Sequence, residues 1–298
     1  MENQVDLGEG IGIRAVREFE NLIEVVDVKD FLDTKIKGKF ILIKYTSDNS
    51  READFLDFLL NEMVTYALTT SERKNLTSSK VRKAFKTAVS RFISKSKGEF
   101  GELILFHLLE RLEGAVQVIN KMSIKTSGEM PVYGKDAVHF GFKDNLKMLY
   151  LGESKTGKSF LEILKKSLED VVEHEAVQKF EIELATSNVS DDIPQEIKKV
   201  ILDYLDPYKS DLSDFKTIHA IFLGYQWDVL KTNEITVKNL VYDSIKKEFI
   251  EEIKTYVKEI ENLISKNNKL ENKNFVFFVI PFRDLEEFRS KFQEEIKK

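Results

Sequence analysis

The chain has 298 residues, of which 42% are hydrophobic and 33% are charged, so it is long enough for one large domain or two modest ones. Its 22 Phe and 9 Tyr argue against extensive disorder, and the lack of cysteine excludes disulfides and thiolate-ligated metal sites. Because the formal net charge is −5, any contact with nucleic acid must come from a local basic surface.

Two features of the sequence bear on cellular location. The first residues, Met-Glu-Asn-Gln-Val-Asp, are acidic and polar and do not resemble a secretory signal peptide. The most apolar run, 275–282, is far too short to span a bilayer. We therefore expect a cytoplasmic protein that makes no contact with a membrane.

Residues 1–97 are predicted to form an N-terminal α/β subdomain. The scattered apolar positions of 16–31 favour no clear element. The largely apolar run 39–45 lies between a glycine and a polar turn, which is typical of a buried strand. Apolar residues at helical spacing over 51–68 then predict an amphipathic helix.

The basic segment 71–97 differs in charge from the rest of the chain, with nine basic residues and one acid. An apolar stripe through it predicts an amphipathic helix, and consists of Val81, Phe85, Val89, Phe92 and Ile93. The cations are either a solvated helical face or a surface for DNA phosphates or an acidic partner. The candidate phosphate-binding residues are Lys80, Arg82, Lys83 and Lys86, with Lys158 further along the chain.

Residues 98–298 are predicted to form the second, larger domain. Helical spacing of apolar residues predicts helices over 98–112, 160–180, 194–205, 237–267 and 284–298. Apolar or alternating runs predict strands over 115–124, 136–142, 146–151, 217–225 and 274–282. A short polar turn joins the second and third of these strands, so we expect them to form a hairpin.

A carboxylate and an amine stand two residues apart on this hairpin, as Glu153 and Lys155. Because strand side chains alternate between faces, both are expected on one face of the sheet. Metal-dependent nucleases need such groups, since carboxylates hold the divalent ion and a lysine stabilises charge. Glu102 on the 98–112 helix and Asp136 at the start of the hairpin supply further acids. The order of elements predicts a restriction-endonuclease-like core, with a mixed sheet flanked by helices.

The same stretch also matches the phosphate-binding loop pattern, as Gly152-x-x-x-x-Gly157-Lys158-Ser159. On this hypothesis the chain is a nucleotide hydrolase. Such a fold needs a second strand that ends in an acid and a parallel approach to the loop, and neither is expected here. A third hypothesis is a non-catalytic adaptor whose acids are structural.

Three segments of the chain resemble a known family. They are Gly98-Glu-Phe-Gly-Glu-Leu, Gly134-Lys-Asp136 and Tyr150-Leu-Gly-Glu-Ser-Lys155. The pattern is similar to the DUF1837 group, the HamA nuclease subunit of the Hachiman anti-phage system, within the PD-(D/E)xK superfamily. The resemblance implies a DNA endonuclease that depends on Mg²⁺ (or Mn²⁺) and acts with a superfamily-2 helicase partner (HamB-like).

The resemblance also implies roles for individual residues. Matched residue by residue, the helix acid, the two metal ligands and the lysine are Glu102, Asp136, Glu153 and Lys155. Glu102 is implied to complete the metal site or to position water. Lys135 departs from the superfamily pattern, which has proline at this position, and this bears on the assignment of Asp136. Glu99 could take the role of Glu102.

Overall fold

A mixed seven-stranded sheet forms the centre of the fold. The computed structural model describes residues 13–46, 49–68, 80–92, 98–119, 136–144, 146–173, 195–205, 214–231 and 241–297. In spatial order the strands are β1 (Ile23–Phe31), β2 (Ile36–Ile43), β9 (Asn274–Phe282), β8 (Phe215–Gln226), β7 (Leu146–Gly157), β6 (Ala137–Lys143) and β5 (Val116–Ile119). A separate short ribbon pairs β3 (Tyr45–Thr46) with β4 (Asn49–Ser50).

The four central strands, β2, β9, β8 and β7, are parallel, and the flanking strands are antiparallel to their neighbours. β6 and β7 form the predicted hairpin, in register from Ala137 opposite Gly152 to Lys143 opposite Leu146. Asp144 in its turn has φ 50°, a left-handed conformation that aspartate tolerates better than most residues. The mixed sheet confirms the predicted α/β class and is compatible with a restriction-endonuclease-like core.

Helices cover both faces of the sheet. They are α1 (Ile13–Leu22), α2 (Glu52–Ala67), α3 (Val81–Phe92), α4 (Glu99–Leu112), α5 (Phe160–Glu173), α6 (Gln195–Leu205), α7 (Val241–Ser265) and α8 (Leu285–Glu295). One hydrophobic core packs α1, α2, α4 and α8 on the first face, and a second packs α5 and α7 on the other. None of the helices in the described ranges is long and apolar enough to cross a membrane.

Helix α4 is the most deeply buried helix at the candidate site. Every side chain from Glu99 to Leu109 is buried, because α4 lies between the sheet and helix α2. Phe106 of this helix packs against Tyr66 of α2 with ring centroids 5.2 Å apart. Glu99 and Glu102 therefore sit in the protein interior rather than on a solvated face.

Strands β1 and β2 of residues 1–97 lie in the same sheet as the strands of 98–298. Residues 16–31, for which the sequence favours no element, form the end of α1 and strand β1. β2 pairs in parallel with β9, from Ile36 opposite Phe275 to Phe40 opposite Val279. The predicted division at residue 97 falls within 93–97, outside the described residues, and stays a prediction.

The buried face of α3 differs from the predicted stripe. Ala84, Ala88 and Phe92 are buried, whereas Val81 is 57% exposed and Phe85 is 37% exposed. The prediction was wrong for these two residues because α3 packs closely on α2 through its small side chains. Ile93, the last residue of the predicted stripe, lies outside the described residues.

Several element ends lie close to their predicted positions. The helix predicted over 160–180 is described as far as Glu173, and the strand predicted over 115–124 as far as Ile119. The remaining residues of both predictions lie outside the described ranges. The last helix begins after Asp284, whose side chain accepts a hydrogen bond from the Glu287 amide at 3.0 Å. This contact is an N-cap, which satisfies an amide that the helix itself leaves without a partner.

Candidate active site

Strand β7 presents different side chains to the two faces of the sheet. Ser154 and Thr156 face α4, since a Cβ built on Gly101 would lie 2.4 Å from Ser154 Oγ and 3.3 Å from Thr156 Cγ2. Glu153 and Lys155 alternate with them and face α5 on the opposite side. The glycine at position 101 allows α4 to approach the strand at this point.

Glu153 and Lys155 contact each other, as their two-residue spacing predicts. Lys155 Nζ lies 2.5 Å from Glu153 Oε1, and the same nitrogen lies 2.5 Å from Asp170 Oδ2 of α5. Glu153 is 7% exposed. A charged pair with so little access to water is screened weakly, so its electrostatic effect on a bound ion or phosphate is larger than at the surface.

The protonation of Lys155 follows from these contacts. Burial alone lowers the pKa of a lysine, but the charge of Glu153 and the hydrogen bonds to Asp170 and Glu153 outweigh it and raise the pKa of Lys155 well above its ordinary value. The side chain is therefore an ammonium group at any physiological pH. It can donate hydrogen bonds and stabilise negative charge, but it cannot act as a general base.

Asp136 lies beside the end of the strand that carries Glu153. Its backbone amide donates a hydrogen bond to Gly152 O at 3.1 Å. Its carboxylate Oδ2 accepts a hydrogen bond from the amide of Ser154 at 2.9 Å. Within the described residues, β6 pairs with β7 only as far as Gly152. The Asp136 carboxylate thus takes the place of the next ladder bond, at the amide of Ser154, which follows Glu153 in the chain.

Glu99 and Glu102 lie on α4, on the face of the sheet opposite to Glu153 and Lys155. They are 4% and 9% exposed, and the Tyr66 phenol donates a hydrogen bond to Glu102 Oε2 at 3.4 Å. Burial, together with the negative charges of Glu102, Asp136 and Glu99, raises the pKa of Tyr66 well above its usual range. One phenol therefore lies within electrostatic reach of Asp136 and of both helix glutamates.

The donor chemistry of these residues suits a hard divalent cation, but the ligands are not preassembled. Among the buried side chains of the described residues, three are acidic and only one, Arg289, is a permanent cation. Carboxylate oxygens are the ligands that Mg²⁺ prefers, and it often uses only one or two of them together with water. Within the described ranges no three histidine or acidic side chains form a group that could hold a metal.

The match to a phosphate-binding loop does not form a loop. Residues 152–157 lie in strand β7 and pair with β8, from Gly152 opposite Ala220 to Gly157 opposite Tyr225. A phosphate-binding loop needs its amides directed into a concave turn, and here the backbone is extended in a sheet. Gly152 instead makes room for packing, because a Cβ there would lie 2.6 Å from that of Ala137. Without that loop, the nucleotide hydrolase hypothesis has no phosphate-binding site at these residues.

The candidate phosphate-binding cations are on the surface. The exposed residues are Lys80, Arg82, Lys83, Lys86 and Lys158. Three of these residues lie on helix α3, and Lys80 directly precedes it. The helix ends at Phe92, whose ring centroid lies 5.6 Å from that of Tyr66. The Tyr66 phenol contacts Glu102, so α3 joins the candidate site through one side chain.

Sequence reasoning missed two residues of the site. Tyr66 appears in the sequence as one apolar position of a helix, although a buried phenol normally needs a hydrogen-bond partner, and that was the available signal. Asp170 lies fifteen residues after Lys155 on another element, and the sequence contains no signal that joins the two. Both contacts depend on how α2 and α5 pack against the sheet.

Comparison with known proteins places the chain in a family. The family model described as HamA matches residues 18–296, which is nearly the whole chain. No curated protein matches the chain. The matched range includes Glu102, Asp136, Glu153 and Lys155.

Proposed function

Because the chain belongs to the HamA family, we propose that it is the Mg²⁺-dependent DNA endonuclease subunit of an anti-phage defence complex. Family membership makes it a defence-associated protein, and the proposed chemistry rests on the site. One observation carries it. On β7, Lys155 Nζ lies 2.5 Å from Glu153 Oε1. Beside this pair, the Asp136 carboxylate accepts a hydrogen bond from the Ser154 amide at 2.9 Å.

Asp136 and Glu153 are the residues that would hold Mg²⁺ or Mn²⁺. Asp136 directly precedes β6 and Glu153 lies on β7, at the point where the β6–β7 ladder ends. When bound, the ion would activate a water molecule and neutralise charge on the phosphate. Glu153 would exchange part of its contact with Lys155 for the cation, which is consistent with a site that is not preassembled.

Lys155 would stabilise the charge that develops on the phosphate as it is attacked. Its ammonium group is held in place by two carboxylates and stays protonated. Preorganised charges of this kind cost no reorganisation when the reaction occurs, which makes them effective in catalysis. Lys155 would also orient the attacking hydroxide through its hydrogen bonds.

Glu102 comes from α4, on the face of the sheet opposite to Glu153, and would complete the metal site or position the attacking water around the end of the β6–β7 ladder. Its carboxylate is buried, and Oε2 accepts a hydrogen bond from the Tyr66 hydroxyl at 3.4 Å. That donor restricts the orientation of the carboxylate without removing its charge, since the raised pKa keeps the phenol protonated. Glu99 lies on the same helix and is buried further, so it remains the alternative helix acid.

The DNA backbone would lie across the basic face of α3. Arg82 and Lys86 are four residues apart on this helix and both are exposed. They and their neighbours are suited to track phosphates without reading sequence. A superfamily-2 helicase would be the partner of this subunit in the defence complex, and this part of the proposal rests on the family alone.

Cleavage of supercoiled plasmid tests the proposal. We expect the wild-type chain to nick or linearise plasmid with Mg²⁺ and to be inactive with EDTA. Glu153→Gln and Lys155→Ala should each reduce the rate by at least about 100-fold, as removal of one charge-stabilising group does in other enzymes. Glu169→Gln and Lys165→Ala change exposed residues of α5 in the same way and should leave the rate unchanged.

The assay must include the chain without its helicase partner, because a partner that restrains the nuclease would hide its activity. Equal cleavage by wild type and both site variants would contradict the assignment of the site. No cleavage and no divalent-cation binding by the chain, alone or with the helicase, would favour the adaptor hypothesis.

A further inference from the structure

Asp170 shares the ammonium group of Lys155 with Glu153. Asp170 Oδ2 and Glu153 Oε1 each lie 2.5 Å from Lys155 Nζ, and the side chains of Lys155 and Asp170 are both 20% exposed. Asp170 is not part of the Glu-x-Lys pattern and lies on another element. The lysine therefore joins strand β7 to helix α5.

Helix α5 holds Asp170 in a fixed position. Its buried face packs against β7 and β8, and includes Ser167 and Val171 on either side of Asp170. The helix starts directly after β7, and Ser159 Oγ accepts from the Glu162 amide at 3.5 Å at its first turn. Asp170 is therefore an anchor that does not depend on the position of the Glu153 side chain.

We propose that Asp170 is a positioning residue that holds Lys155 while Glu153 binds the divalent cation. This inference rests on the proposed function. In the structure, Lys155 occupies one oxygen of Glu153, so lysine and cation compete for the same carboxylate. With Asp170 present, Lys155 keeps a carboxylate partner when Glu153 turns to the cation. Without Asp170, Lys155 keeps only Glu153 of these two carboxylates. Lysine and cation then compete more strongly for Glu153.

The test is the affinity of the whole chain for Mn²⁺, measured by electron paramagnetic resonance without DNA. Asp170→Asn should weaken Mn²⁺ binding by about tenfold, the lower end of what loss of a residue supporting a metal ligand causes. Asp170→Glu, which keeps the charge, should restore most of the affinity. Glu169→Gln removes a neighbouring exposed charge from the same helix and should have no comparable effect.

A second background separates positioning from simple loss of charge. In a Lys155→Ala chain there is no lysine to hold, so Asp170→Asn should change the Mn²⁺ affinity by less than about twofold. An equal weakening in both backgrounds would overturn the inference, because it would mean that Asp170 acts on the cation directly. So would an Asp170→Asn chain that binds Mn²⁺ like the wild type.

Failure of the proposed function gives a different result. A wild-type chain that neither binds Mn²⁺ nor cleaves DNA would overturn the nuclease assignment and this inference with it. A wild-type chain that does both, with no effect of Asp170→Asn on Mn²⁺ affinity, would overturn only the role of Asp170.

Discussion

The amide of Ser154 donates a hydrogen bond to Asp136 Oδ2 at 2.9 Å. This contact ties the residue before β6 to the strand that carries Glu153 and Lys155, at the point where the ladder between β6 and β7 ends. One oxygen of Asp136 is used for structure, and the negative charge of the carboxylate remains available for chemistry. The two properties can be separated by mutation.

Asp136→Asn keeps an oxygen that can accept from Ser154 but removes the charge. We expect its free energy of unfolding to lie within about 1 kcal/mol of the wild type, since the hydrogen bond can persist. Plasmid cleavage should fall at least about 100-fold, because the metal site loses a charged ligand. Asp144→Asn, in the exposed turn at the other end of the same hairpin, is the matched control. A large loss of stability without loss of activity would contradict the assignment.

Gly101→Ala tests the close contact between α4 and β7. A Cβ at this position would lie 2.4 Å from Ser154 Oγ, so strand or helix must shift. We expect a loss of about 1–3 kcal/mol in the free energy of unfolding, as for other overpacked cores, and reduced cleavage. Gly141→Ala is the control, since its nearest neighbour would lie at 3.4 Å. Denaturant titration measures the free energy of unfolding of both variants. Equal values would mean that the close contact between α4 and β7 is absent.

The basic face of α3 is tested by the salt dependence of DNA binding. Removing the charges in Arg82→Gln/Lys86→Gln should lower the slope of log Kd against log salt by about 0.9 for each lost phosphate contact. Lys254→Gln/Lys258→Gln, with the same spacing on exposed α7 positions, should leave the slope unchanged. If the α3 variant binds DNA normally but loses binding to the helicase, the surface faces the partner instead.

Two buried histidines predict acid sensitivity. Burial, with a smaller effect of the Arg111 charge, lowers the pKa of His107 from 6.5 to about 3, and burial lowers that of His139 to the same value. Below pH 6.5 the unfolded chain takes up protons that the folded chain does not, so the free energy of unfolding should fall as the pH drops from 6.5 towards 3. His107→Phe should make this fall less steep in denaturant titrations. An equally steep fall of the unfolding free energy with pH in variant and wild type would contradict this prediction.

Local sequence pattern was sufficient for the central part of the site. The period of two in a strand predicts that Glu153 and Lys155 share a face, and their contact confirms it. The polar turn at 143–145 predicts the hairpin that brings Asp136 beside β7. Both predictions depend on residues close together in the chain, where backbone geometry decides the outcome.

Contacts between distant elements could not be predicted in this way. The pairings of Asp170 with Lys155 and of Tyr66 with Glu102 arise from helix packing. The sequence already argued against the phosphate-binding loop, because a second acid and a parallel approach are not expected. Pairing with β8 adds that Gly152–Gly157 is strand. On α3, packing through alanines left Val81 and Phe85 exposed, against their hydrophobicity.

The most direct test of the metal-dependent nuclease site is the anomalous diffraction of a crystal of the chain soaked in MnCl₂. We predict one ion bound by Asp136 and Glu153 at about 2.0–2.2 Å, the distance typical of small divalent cations and carboxylates, with Lys155 still in contact with Asp170. An ion bound elsewhere, with Glu153 still paired to Lys155 and no density at these two carboxylates, would contradict the account.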